Sequence, residues 1–336
     1  MNDSRQRNVL VAGGAGYIGS HVTLALAEAG FNPVVLDNLS TGNAAYVGDI
    51  PLVQADISDA PRVAEVIREH GIRDVLHFAA AIQVEESVTH PWVYYDNNVC
   101  RTLSFLRTCM ENGVRSLVFS STAAVYGIPL ELPVSEKAPL EPINPYGRTK
   151  LVVEMILEDL ARASEDFHYM ALRYFNVAGA DRSGRIGQSY PKATHLITLA
   201  LRTALGLRPE LAVFGTDYPT PDGTAVRDYI DIEDIASLHV RALEALMENP
   251  RNLVMNCGYG HGFSVREVLE AVRRVTGRDF PVRETGRRPG DPPMLVADSR
   301  RVRRELHWSP AHDDLDAIIK AAWEWECKLQ SRKEEK

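Results

Sequence analysis

The run Gly13-Gly14-Ala15-Gly16-Tyr17-Ile18-Gly19 constrains this chain more than any other stretch. It follows a short apolar run, Asn8–Ala12, and precedes a helical pattern over Ser20–Ala29. Glycines at this spacing let a strand turn tightly into a helix whose free N–H groups can receive a pyrophosphate. The next apolar run, Pro33–Leu36, ends at Asp37, about 20 residues on, where an acid can bind a ribose 2′-hydroxyl. A carboxylate there repels a 2′-phosphate and so favours NAD over NADP. Asp56 follows the third run and is placed to reach the adenine end.

The pattern continues as a series. Leu52–Ala55, Asp74–Phe78, Ser116–Ser120 and Tyr169–Tyr174 are short apolar runs with little polar alternation. Between them lie helical stretches around Pro61–His70, Pro91–Asn112 and Tyr146–Ala163. Buried strands alternating with amphipathic helices predict an α/β fold, a Rossmann-type doubly wound parallel sheet covered on both faces. Beyond Gly179 the pattern loosens into loops rich in Gly and Pro, which predicts a smaller α/β substrate-binding domain. The expected division is residues 1–179 for NAD and 180–336 for substrate, with return segments near 228–257.

With 336 residues the chain is long enough for two lobes, and its 45% apolar content is ordinary for a globular protein. A net charge of −8 argues against a polyanion-binding surface, so no nucleic-acid partner is expected. Ten arginines nevertheless crowd the stretch from Arg273 to Arg304, leaving room for a local phosphate site. The four cysteines have no Cys-x-x-Cys spacing and the histidines form no ligand cluster, so no metal is expected. The opening Met-Asn-Asp-Ser-Arg-Gln-Arg lacks a signal-peptide core, and no apolar run reaches membrane length. A cytoplasmic protein is the expectation, with a charged tail at Ser331–Lys336 that frays.

Asn144 and Pro145 read as a helix start, so Tyr146 and Lys150 project from one face of the helix that follows. A phenol titrates near ~10, and bringing it to neutrality takes about 4 kcal/mol of phenolate stabilisation. A lysine cation at ~4 Å supplies about that much at an effective dielectric near ~20. Tyr-x-x-x-Lys is common by chance and gains weight only from its context. Ser120-Ser121-Thr122 supplies that context at the carboxyl edge of the sheet, where a hydroxyl can share a substrate alcohol with Tyr146.

Taken together, these residues resemble the extended short-chain dehydrogenase/reductase family over nearly the whole chain, and within it the branch that epimerises UDP-hexoses at carbon 4. The matching stretches are Gly13–His21, Leu36–Ser40, Tyr94–Val99, Val125–Gly127, Tyr146–Lys150, Leu172–Asn176, Asp217–Thr224 and Val226–Asp231. The Asp-Tyr-Pro-Thr segment at Asp217–Thr220 is more specific than the glycine loop. The resemblance implies Tyr146 as base, Lys150 as its electrostatic partner and Thr122 as hydrogen-bonding helper. It implies an NAD site of Gly13, Gly16, Tyr17, Ile18, Gly19, Asp37, Asn38, Asp56, Ile57, Phe78, Ala79, Ala80, Asn97 and Tyr174, with Tyr146 and Lys150. Asn176, Arg227 and Arg288 would grip a substrate diphosphate. His195, Leu196 and Phe214 would surround the uridine, with Asp291 on its ribose. A homodimer is implied too, and apolar Leu151, Val152, Val153, Met155, Ile156, Leu157 and Leu160 around one helix agree with it.

Three departures stand out. Ala12 replaces a usual Thr, Ile82 stands where some epimerases carry a lysine near the pyrophosphate, and Thr122 replaces a serine. Leu295 falls where some relatives place a bulky tyrosine beside the sugar, so the pocket is expected to admit an N-acetylated hexose as well. UDP-pentose or UDP-hexuronate epimerisation stays open. A 4,6-dehydratase would carry an acidic pair after its threonine, whereas Ala123 and Ala124 follow Thr122 here. A non-catalytic NAD-binding regulator on the same fold is the alternative from another class.

Overall fold

The computed structural model describes residues 7–288 and 291–334. Residues 1–6, most of the opening run, and residues 335 and 336 of the charged tail lie outside the described residues. The chain divides into two compact units, the first formed by Met1–Val125, Pro142–Arg173 and Ala236–Met255, the second by Tyr126–Glu141, Tyr174–Ile235 and Asn256–Lys336.

The first unit is built on a sheet whose strands are β1 (Asn8–Ala12), β2 (Asn32–Asp37), β3 (Leu52–Gln54), β4 (Asp74–His77), β5 (Ser116–Thr122) and β6 (His168–Tyr174). A seventh strand, Leu253–Cys257, lies beside β6, and the order from the other edge is β3-β2-β1-β4-β5-β6. The pairs β1–β2, β1–β4, β2–β3 and β4–β5 are parallel. That order is the doubly wound Rossmann arrangement, with its switch point between β1 and β4.

Between the strands run α1 (Tyr17–Glu28), α2 (Ala60–His70), α3 (Val84–Thr89), α4 (Pro91–Tyr95), α5 (Arg101–Glu111) and α6 (Pro145–Ala163). Their ends follow local chemistry. Asp59 caps α2 by accepting from Arg62 N at 3.2 Å, and Gly71 closes it in the left-handed region. Asn144 accepts from Gly147 N at 2.8 Å, with Pro145 in the first helical position, as the sequence predicts. Leu10, Val34, Val75, Leu117, Phe119, Val153, Leu157 and Ala171 belong to one buried cluster of strand and helix side chains.

The stretch expected to be helical around Pro91–Asn112 is so, with Asp96–Cys100 as a π-helical turn between α4 and α5. Asn98 lies there, buried, accepting from Ala81 N at 2.8 Å and donating to Ala81 O at 3.0 Å. The fifth strand runs past the expected end at Ser120, so Ser121 and Thr122 are its last residues.

In the second unit the helix Val265–Thr276 opens with a reciprocal cap between Ser264 and Glu267. It packs against the helix Leu315–Glu334, which also meets Leu196–Ala204. The charged tail therefore stays helical to Glu334. Arg202 and Glu326 form a largely buried ion pair at 3.0 Å between two of these helices. Among the described residues no helix is long and apolar enough to cross a membrane.

Candidate active site

Gly13 leaves β1 with φ +82, and a Cβ there would lie 2.5 Å from Ala79 N. Only glycine lets the loop run this close to the backbone that follows β4. A Cβ on Gly16, by contrast, would meet nothing nearer than Gly13 O at 3.4 Å. No side chain makes a capping hydrogen bond at Gly16, and Tyr17, Ile18 and Gly19 form the first turn of α1. The cradle fits a dinucleotide pyrophosphate.

Asp37, at the end of β2, is buried, and its two carboxylate oxygens accept from Ala15 N at 2.9 Å and Leu39 N at 2.8 Å. Those bonds fix its plane and leave lone pairs for a ribose hydroxyl. Asp56 accepts from Ser58, from Asn38 Nδ2 at 2.9 Å and from Arg101 Nη1 at 2.8 Å. Burial raises its pKa, but these partners outweigh burial and hold it at about 2. Ile57 beside it is buried. Phe78, Ala79 and Ala80 follow β4, with the Phe78 ring 4.9 Å from that of His239. Asn97 sits on the π-turn and donates to Asn98 at 3.0 Å. Ile82 is exposed and Ala12 is buried at the end of β1. Tyr174, buried, ends β6.

At the end of β5, Thr122 accepts from Ala124 N at 3.1 Å and shares a hydrogen bond with the Tyr146 hydroxyl. A Cβ on Gly147 would lie 2.6 Å from Ala124 O, so the first turn of α6 closes directly onto the loop after β5. One turn further, Lys150 is buried and donates to Ser120 O at 2.8 Å. Its ammonium lies 4.9 Å from the Phe119 ring centroid. Burial draws Lys150 down to about 7, with Glu154 opposing. In the protein alone burial raises the Tyr146 phenol, and the Thr122 hydrogen bond works against that rise. From its spacing Lys150 is the group expected to lower Tyr146; in the structure the opposing group is Thr122.

The second unit carries the remaining candidates. Asn176 opens the strand Asn176–Ala178, and its N–H donates to Asp228 O at 2.9 Å. His195 stands at the N-cap position of the helix that Leu196 begins, without a side-chain capping hydrogen bond. Arg227 lies 3.7 Å from Asp291, and Arg288 lies 3.4 Å from the same carboxylate. The Arg288 guanidinium also stacks 4.4 Å from the Phe214 ring centroid. Burial pulls Arg227 below its ordinary pKa, with Asp291 opposing. Leu295 pairs in register with Arg227 on the neighbouring strand. The unit thus gathers Phe214, Arg227, Arg288 and Asp291 into one cluster of two guanidinium groups, a carboxylate and an aromatic face. Among the described residues no group of His, Cys, Asp or Glu could hold a metal ion.

A model of the NAD dependent epimerase/dehydratase family matches residues 9–258, well over half the chain. The chain belongs to the NAD-dependent epimerase/dehydratase family. Within this family it is 51% identical over 323 residues to the UDP-glucose 4-epimerase of Azospirillum brasilense, covering 96% of this chain and 92% of that one. The crystal structure of the Stenotrophomonas maltophila UDP-glucose 4-epimerase with bound NAD and formylated UDP-arabinopyranose superposes with a TM-score of 0.93 at 43% identity, covering 97% and 99% of the two chains. The Brucella ovis UDP-glucose 4-epimerase in complex with NAD gives 0.92 at 46% identity, covering 94% and 97%.

Three residues of this family member escaped the sequence reading. Asn98 hides beside Asn97, and only the π-turn shows which of the two holds Ala81. Arg101 reaches Asp56 from 45 positions away. Glu154 lies two turns beyond Tyr146 on the face of α6 that also carries Lys150, a signal that the four-residue spacing offered and that the reading did not extend.

Proposed function

We propose that the protein interconverts UDP-glucose and UDP-galactose by reversible inversion at carbon 4, through a transient 4-keto sugar. The observation that carries this reading is the meeting of Thr122, Tyr146 and Lys150 at the end of β5 and the start of α6. In this reading the first unit holds NAD on the glycine loop, with Asp37 on a ribose, and the second holds the UDP-sugar. NAD, when bound, supplies the two-electron chemistry at carbon 4. Tyr146 takes the proton of the 4-hydroxyl and later returns it, and Thr122 aligns the alcohol. Lys150 supplies the positive charge that a buried phenolate needs. Arg227 and Arg288 anchor the diphosphate by charge-assisted hydrogen bonds, while the hexose stays loosely held and free to turn. Strong contacts belong on the part that must not move.

The turn Ala123–Tyr126 after Thr122 offers no acidic pair, which favours epimerisation over dehydration. Exposed Val88, Trp92, Leu103 and Met155 on α3 to α6 suit a second copy of the chain, so the active form is a homodimer. Among the described residues the four cysteines form no disulfide, which suits a reducing cytoplasm. The deciding experiment is turnover of a panel of UDP-sugars with no added nicotinamide cofactor. Conversion of UDP-galactose to UDP-glucose supports the reading, and absence of any conversion by NAD-loaded protein rejects it.

A further inference from the structure

Three consecutive residues at the end of β5 meet three residues spaced one turn apart on α6. Thr122 bonds the Tyr146 hydroxyl, the Ser120 carbonyl accepts from Lys150, and the Ser121 hydroxyl donates to Glu154. A strand end and a helix face are thereby joined in register, position by position. The first two contacts belong to the site already described. The third has no role in it, yet Glu154 is only 5% exposed and is also held by Arg173, through Nε at 3.0 Å and Nη2 at 2.5 Å.

A carboxylate buried this deeply is costly unless it is paired. Arg173 is 3% exposed and Lys150 is 3% exposed, so the interior here holds two cations and one anion. Were Arg173 the only reason for Glu154, two apolar residues would pack as well or better. The arrangement makes sense if the anion also serves the second cation.

We propose that Glu154 is a positioning residue for the reaction: clamped by Ser121 and Arg173 one turn beyond Lys150, its carboxylate keeps Lys150 a cation next to the catalytic tyrosine. The proposal rests on the epimerase reading for its catalytic consequence, but not for the physical coupling. Burial works against the Lys150 charge, and Glu154 is the group that opposes it. The other groups facing this cluster do not substitute. His77 from β4 is driven to about 3 by burial and then by Lys150 itself, so it is neutral. From β5 the Phe119 ring offers only its face. Tyr94 of α4, pushed upward by burial and by Glu86 of α3, is a neutral phenol. Tyr169 of β6 is likewise raised, by burial and then by Glu158 and Glu154. Arg173 itself is a like charge. Tyr146 on α6, raised by burial, is a neutral phenol until it loses its proton, so Glu154 is the group of α6 whose standing charge favours the ammonium.

The test uses the full-length, NAD-loaded protein. Its seven lysines permit observation of 13C-labelled lysine side chains by NMR, with Lys150→Met assigning the Lys150 signal. The Lys150 titration midpoint is compared in the wild type, Glu154→Gln, Glu154→Asp and the double variant Glu154→Gln/Arg173→Leu, which removes the Glu154–Arg173 ion pair whole and so leaves no stranded Arg173 charge. The expected result is a midpoint lower by about one pH unit or more in Glu154→Gln, a tenfold loss of ammonium at fixed pH. Glu154→Asp falls between, and the double variant lies below wild type by less than Glu154→Gln does, because a like charge leaves with Arg173. Turnover of UDP-galactose should lose its alkaline limb at correspondingly lower pH. An unchanged midpoint in the Gln and double variants overturns the proposal. A lowered midpoint with an unmoved turnover profile overturns its catalytic part. Wild-type protein with no turnover at all defeats the epimerase reading while the NMR comparison still decides the coupling.

Discussion

Lys150 donates a hydrogen bond from Nζ to the carbonyl of Ser120 across 2.8 Å, so the end of a strand fixes this group one helical turn beyond Tyr146. The amine is in place before substrate arrives, and its position needs no reorganisation when the proton moves. Tyr146→Phe removes the proton acceptor and leaves this frame intact. UDP-galactose turnover should fall about 100-fold or more, with UDP binding by calorimetry unchanged. Thr122→Ser should keep most activity and Thr122→Val should not.

Gly13→Ala tests the nucleotide loop. The added methyl meets the Ala79 backbone, and neither partner can swing away. The expectation is a loss of stability of ~1 kcal/mol or more together with loss of co-purifying NAD, read by thermal melting and by the absorbance of released cofactor.

Arg288→Ala should weaken UDP-sugar binding about tenfold or more while changing kcat little, since its contacts are equal in ground and transition states. Arg288→Lys should recover only part, because a lysine cannot both stack on Phe214 and fork onto a diphosphate. Steady-state kinetics separate the two parameters. A fall in kcat with unchanged KM would place Arg288 at the reacting carbon.

Acid should destabilise the first unit through Asp56. Its carboxyl is lowered from 3.8 to about 2, so the folded state prefers the ionised form. That contribution is complete above pH 3.8 and is lost as pH falls through about 2. Asp56→Asn should therefore flatten the dependence of Tm on pH in that window and lower Tm at neutrality.

Leu295 shares a register position with Arg227, one of the proposed diphosphate anchors, so its side-chain volume is expected to limit the sugar. UDP-N-acetylglucosamine should be a substrate, and Leu295→Tyr should suppress its turnover more than that of UDP-glucose. Equal loss on both sugars would show that this position does not discriminate.

The parts of the molecule that the sequence exposes are those governed by local rules. β1, α1 and β2 are legible because a buried parallel strand, a glycine turn and a closing acid each leave a mark within a few residues. Asn144 and Pro145 announce α6 for the same reason. The π-turn at Asp96–Cys100 left no such mark, since it exists to satisfy the backbone of Ala81, which lies 17 positions from Asn98. Glu154 looked like an ordinary helix glutamate until Ser121 and Arg173 came to it from two different strands. Polar groups whose partners are distant in the chain look like surface residues in a sequence.

The chain passes between its two units five times, at Val125, Glu141, Arg173, Ile235 and Met255. Neither unit is a continuous stretch of polypeptide, so no single recombination point can exchange one for that of a relative. Exchanging either unit takes crossovers at all five junctions together, which leaves point substitution as the simpler route by which such a protein acquires a new specificity.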